Sequence, residues 1–103
     1  MSKDVALEPS FGEMCATVSA IAIKHGMKRM CLFGSRARGD NTPDSDYDFC
    51  VLPDKACDLF RLGSFLVDLR EALGRDVDIV CEDSLRDDFR KEIFAEMKLI
   101  YAA

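Results

Sequence analysis

The sequence predicts an α/β (α+β) domain: a small mixed β-sheet flanked by helices. Apolar residues recur at helical spacing around residues 14–22 and 59–73. Short aliphatic runs at residues 30–33, 46–52 and 77–80 read as strands. Glycines, prolines and turn formers punctuate the boundaries, giving the order α-β-loop-β-α-β-α.

The first helix starts at Ser10, which with Glu13 makes an S-x-x-E capping box. Met14, Val18, Ile21 and Ala22 then fall on one face, and Gly26, after His25, is placed to end the helix. The run Met30-Cys31-Leu32-Phe33 is a buried strand that stops at Gly34-Ser35. Asp40-Asn41-Thr42-Pro43-Asp44-Ser45 is dense in turn formers and must be a loop. The second strand covers residues 46–52 and is stopped by Pro53. Leu59, Leu62, Leu66, Leu69 and Leu73 form a stripe on a long helix ended by Gly74. A heptad seam for dimerisation competes with core packing, but five residues span only about two heptads, which favours the core. Val77, Ile79 and Val80 mark a third strand. Ser84 and Asp87 then suggest a cap, with Asp87 and Asp88 as first-turn acids. Phe89, Ile93, Met97 and Ile100 are expected as the buried face of a last helix.

The 103 residues suit one domain, residues 1–103, and the balance of 49 % hydrophobic to 32 % charged is that of a globular protein. No apolar run reaches the roughly 18 to 20 residues that span a bilayer. Residues 1–10 lack a basic region followed by an apolar stretch, so no secretory signal is read and cytoplasmic residence is expected. The five cysteines are odd in number and contain no C-x-x-C pair, so they are expected as reduced core thiols. The single histidine, His25, is expected to be solvated or capping. A net charge of −5 disfavours direct binding to a nucleic-acid polyanion.

Chemistry concentrates in GSRARGDNTPDSDYD, residues 34–48. Strand side chains alternate, so Asp46 and Asp48 point to one face while Tyr47 and Phe49 point into the core. Two carboxylates on one face repel each other, and Mg²⁺ resolves that conflict. Alone, a D-x-D pair is a weak signal and reads more readily as a solvated acidic edge. Gly34 lets the backbone approach a ligand, and Ser35 adds a hydroxyl donor beside turn amides suited to phosphate. Arg36 and Arg38 are candidates to neutralise a departing pyrophosphate; the plainer reading is a strand-to-loop turn with surface arginines. A third acid comes from DVDIV. Asp76 and Asp78 share a face, and Asp78 is preferred because it sits within the aliphatic run.

A Gly-Ser pair, ten residues, D-x-D, and a strand aspartate 30 residues after the second acid form a specific combination. It resembles the DNA polymerase β-like nucleotidyltransferase superfamily, and in particular its minimal nucleotidyltransferase (MNT) domains. The resemblance runs over most of the chain, including a final helix through Leu99-Ile100-Tyr101. It implies two Mg²⁺ ions held by Asp46, Asp48 and Asp78, with ATP as substrate, Gly34, Ser35, Arg36 and Arg38 at its phosphates, and Asp78 taking a proton from the attacking hydroxyl. It also implies a partner: MNT domains pair with helical HEPN ribonuclease toxins and act as antitoxins by moving AMP onto a toxin tyrosine. The 25 residues beyond Asp78 leave room for one helix, so the acceptor is expected on another polypeptide, in a hetero-oligomer and away from membranes. A non-catalytic binding antitoxin and an enzyme acting on RNA or a small molecule are the alternatives.

Overall fold

In the computed structural model, which describes residues 9–103, Ser10 caps the first helix by both arms of the capping box. The Ser10 N–H donates to Glu13 Oε1 at 2.8 Å, and the Glu13 N–H donates to Ser10 Oγ at 3.1 Å. The elements then run α1 (Phe11–Lys24), β1 (Met27–Phe33), α2 (Ser35–Arg38), β2 (Tyr47–Pro53), α3 (Leu59–Leu73) and β3 (Val77–Cys81). A 3₁₀ turn (Glu82–Ser84), α4 (Asp87–Glu96) and β4 (Lys98–Ala102) complete the order. The reading of residues 1–10 as lacking a leader falls largely on residues 1–8, which lie outside the described residues. No helix among the described residues is long and apolar enough to cross a membrane.

The sheet order is β3-β2-β1-β4. β1 pairs antiparallel with β2 and β4, and β2 pairs parallel with β3, so the sheet is mixed. α1 and α3 cover one face: Met14, Val18 and Ala22 of α1 and Phe65 and Leu69 of α3 pack on Met30, Leu32, Phe49 and Val51. α4 covers the other face, where Ile93 meets Cys31 and Cys50. The five cysteines are free thiols, and burial pushes Cys50 up to about 11, which makes it an inert core residue.

Several expectations need correction. The segment 98–102 is strand, not the end of a helix. Its apolar spacing fits a helix, but β1 has a free edge there, and the backbone groups of residues 98–102 pair with it. Ser84 does not cap α4; Arg86 holds the N-cap position without a side-chain bond, and Asp87 and Asp88 are first-turn acids as expected. β1 begins at Met27, three residues before the apolar run, because Lys28 and Arg29 lie exposed on the paired strand. Leu59 heads the predicted stripe of α3 yet is 84 % exposed, while Phe65, outside that stripe, is fully buried. His25 is the C-cap residue of α1, but it is buried rather than solvated.

His25 Nε2 lies 2.7 Å from Asp68 Oδ2, and Lys24 Nζ reaches the same oxygen at 3.2 Å, so one carboxylate of α3 clamps the end of α1. On the opposite face, Arg29 Nη2 donates to both oxygens of buried Glu82 at 2.7 and 2.6 Å. Arg90 of α4 donates to the Glu82 carbonyl at 2.7 Å. Glu82 thereby ties β1, the 3₁₀ turn and α4 together.

Two predictions follow from this packing. Phe65→Ala is expected to cost about 3–5 kcal/mol in chemical denaturation, whereas Leu59→Ala should shift it by less than about 0.5 kcal/mol; equal costs would contradict the packing of α3. The His25 and Lys24 contacts hold the Asp68 carboxyl below its ordinary value of 3.8. The unfolded chain therefore takes up that proton first. The stabilisation is full above the unfolded value and is lost as pH falls through the folded one. Asp68→Asn should be less stable than the parent at pH 7, with the gap closing below about pH 4; a gap that does not change with pH would refute the clamp.

Candidate active site

The register of β2 against β3 sets Asp48 directly opposite Asp78, between the pairs Tyr47–Val77 and Phe49–Ile79. Residues at one level of a parallel pair project to the same face. Tyr47, Phe49, Val51 and Val77 turn into the core under α1 and α3. Asp48 and Asp78 therefore project together on the α4 side. Asp46 stands one residue before β2 rather than within it, and is exposed. Asp76 precedes β3, and its carbonyl accepts the Tyr47 N–H at 3.0 Å. Of the two acids weighed from sequence, Asp78 is the one at the level of Asp48.

Burial is the main cause that pushes the Asp48 carboxyl above the usual carboxylate range; the negative charges of Asp78 and then Asp46 add to it. Arg38 works in the opposite direction, and Glu96 adds further repulsion. Such a carboxylate gains from a cation at its side. Among the described residues no three His, Cys, Asp or Glu side chains form a ready-made ion cage. Asp48 and Asp78 are two oxygen donors at one level, the kind of ligand Mg²⁺ takes when it keeps several waters and is held by one or two carboxylates with substrate phosphates.

Gly34 lies against Asp48. Its φ of 78° and ψ of −160° favour glycine, and a Cβ there would run into the Asp48 carboxylate, with Cγ at 3.1 Å and Cβ at 3.2 Å. The Gly34 carbonyl accepts the N–H groups of Ala37 and Arg38 at 3.0 Å each, closing the single turn of α2. The Ser35 carbonyl accepts from Gly39 at 2.8 Å and from Asp40 at 3.2 Å. Gly34 donates its own N–H to Glu96 Oε1 at 3.0 Å. Arg38 Nη1 reaches the two Glu96 oxygens at 3.3 and 3.1 Å, and its Nε donates to Asp40 Oδ2 at 3.2 Å.

The structure separates the two arginines expected together. Arg36 donates to the carbonyl of Ser45 at 3.1 and 2.9 Å and to that of Pro43 at 3.2 Å. Its guanidinium also lies 4.0 Å from the Tyr47 ring centroid. Those contacts hold the loop leading to Asp46, and the pyrophosphate role expected for Arg36 does not fit them. Arg75, not singled out from sequence, fastens the same loop through a 2.7 Å bond to the Pro43 carbonyl. Arg38 alone of the pair faces Gly34 and Glu96. Beside it opens a cleft of about 460 Å³ lined by Phe33, Gly34, Arg38, Phe89, Glu92, Ile93 and Glu96. Glu96 is the other residue that sequence reasoning missed: it makes its contacts from the far end of α4, and no local pattern announces them.

Comparison with known proteins gives the family of the chain. The family described as polymerase beta nucleotidyltransferase matches residues 17–103. A candidate protein adenylyltransferase of Methanocaldococcus jannaschii, MJ0435, is 31 % identical over 87 residues, covering 84 % of this chain and 94 % of that protein. A solved structure of a candidate minimal nucleotidyltransferase is 32 % identical with a TM-score of 0.74, over 82 % of this chain and 86 % of that one. The fold also matches a Shewanella oneidensis complex of a tri-AMPylated HEPN toxin with its MNT antitoxin. There the TM-score is 0.67 and the identity 20 %, over 87 % of this chain and 71 % of that one. With a family match across most of its length and a relative above 30 % identity, this chain belongs to the polymerase β nucleotidyltransferase family.

Proposed function

We propose that this nucleotidyltransferase moves AMP from ATP onto a tyrosine hydroxyl of a helical HEPN-class ribonuclease, and acts as the antitoxin of that partner. The observation that carries the reading is the level pairing of Asp48 with Asp78 on one sheet face, with Gly34 packed against Asp48. The Methanocaldococcus relative, named for protein adenylyl transfer, and the AMPylated toxin of the Shewanella complex point to adenylate and to a protein acceptor. Leu59 and Phe60, 84 % and 90 % exposed, give such a partner an apolar surface to cover. Five free thiols and the need for ATP fit a cytoplasmic setting.

Asp46, Asp48 and Asp78 would hold two Mg²⁺ ions. When bound, these supply positive charge to the entering and leaving oxygens of the displacement. Asp78 accepts the proton of the acceptor hydroxyl as its oxygen bonds to the α-phosphorus. The bond from that phosphorus to the bridging oxygen breaks, and pyrophosphate leaves. The Gly34 amide, Ser35 and Arg38 hold the phosphates in line, so that most of the acceleration comes from positioning and electrostatics. Arg36 serves by keeping the loop before Asp46 in place.

The decisive measurement incubates the chain with Mg²⁺, α-labelled ATP and the product of its neighbouring gene. Label on that product, reduced at least about a hundredfold by Asp46→Asn or Asp48→Asn, is expected. Inhibition of the partner that survives both substitutions points to a binding antitoxin instead, and label on RNA or a small molecule changes the acceptor. A second prediction uses the electrostatics of Asp48. Because its carboxyl is held above the usual range in the folded chain, its charged form opposes folding at neutral pH when no cation is present. Asp48→Asn should therefore raise the melting temperature in the presence of a chelator while abolishing transfer; a lowered melting temperature there would count against the acidic cluster.

A further inference from the structure

We propose that Glu96 is a built-in occupant of the phosphate seat, and that a triphosphate must displace its carboxylate in order to bind. The inference rests on the nucleotide site argued above and adds a regulatory device to it. The Glu96 carboxylate takes the Gly34 N–H at 3.0 Å and the Arg38 guanidinium at 3.1 and 3.3 Å. These are the donors that a phosphate oxygen would use: a backbone amide at a residue with no Cβ, and a guanidinium fork. A carboxylate on both is a chemical stand-in for phosphate.

Its position supports displacement rather than permanent ligation. Glu96 is the last residue of α4, where the negative end of the helix disfavours a carboxylate. The contact is therefore made against the helix's own field, and the favourable partner lies across the chain at Gly34 and Arg38. The chain leaves α4 at Met97 in an extended conformation (φ −70°, ψ 150°), so the side chain sits at a helix end rather than inside a rigid turn. Glu96 also adds to the repulsion on Asp48, so its withdrawal and the arrival of cations relieve the same local excess of negative charge. Asp40 keeps hold of Arg38 Nε at 3.2 Å, so the guanidinium retains a partner when Glu96 leaves.

The test measures binding of tripolyphosphate, without nucleoside or metal, at low and fixed ionic strength to limit screening. Glu96→Gln and Glu96→Ala should each bind roughly tenfold more tightly than the parent, the order expected for losing a half-exposed charge-assisted contact from the free state. Alanine is the second variant because it favours the helix. Arg38→Ala added to Glu96→Gln should cancel the gain. Glu92→Gln is the control: Glu92 lines the same cleft one turn earlier, and its substitution removes the same charge without touching Gly34. Unchanged or weaker binding by both Glu96 variants, or an equal gain from Glu92→Gln, would overturn the proposal. Tightening without AMP transfer to any acceptor leaves the seat standing and removes the tyrosine-transfer reading. Transfer by the parent without tightening does the reverse.

Discussion

The parallel pairing of β2 with β3 is the constraint on which the rest of the molecule depends. It holds two aspartates level on adjacent strands, an arrangement that electrostatics alone disfavours. What enforces it lies on the opposite face. Tyr47, Phe49, Val51 and Val77 are buried under α1 and α3, and a slip of one residue would turn Asp48 into that core and expose Phe49. The apolar side of β2 thus fixes the charged side and holds the two carboxylates at one level.

Around that pair the chain is braced by contacts that perform no chemistry. Arg36 and Arg75 converge on the Pro43 carbonyl from two directions, and Thr42 N–H bonds Ser45 Oγ at 2.9 Å. The turn-rich loop is thereby held short of Asp46 in one shape. Gly34 closes against Asp48 from the neighbouring strand end, where no other side chain fits. Glu82, linked to Arg29 and carrying Arg90 on its carbonyl, seats α4 over the same face. Without α4 in that place, Glu96 has no route to Gly34.

Much of this was legible in local patterns. The capping box at Ser10, the helix end at Gly74, the loop and the alternation that turns Asp48 away from Tyr47 and Phe49 all depend on neighbours within a few residues. β4 was not legible, because Phe89, Ile93, Met97 and Ile100 continue a helical spacing; only the unpaired edge of β1 converts the last of them to strand. Phe65 was missed for a similar reason, since five leucines define a stripe one residue to its side. The split between Arg36 and Arg38 follows from helical geometry, as two residues apart in a turn is about 200° of rotation. Glu96 and Arg75 reach partners 62 and 32 residues away, and no spacing rule extends that far.

Among the described residues, β4 is the outermost strand on its side of the sheet, with a rim of backbone donors and acceptors facing outward. Such a rim invites another chain to lie alongside it. Leu99 is more than half exposed on this strand, which adds a sticky element. Lys98 stands at its start with its ammonium 5.6 Å from the Phe11 ring centroid. Among the described residues of β4, Lys98 is the charge that discourages such edge-to-edge clumping.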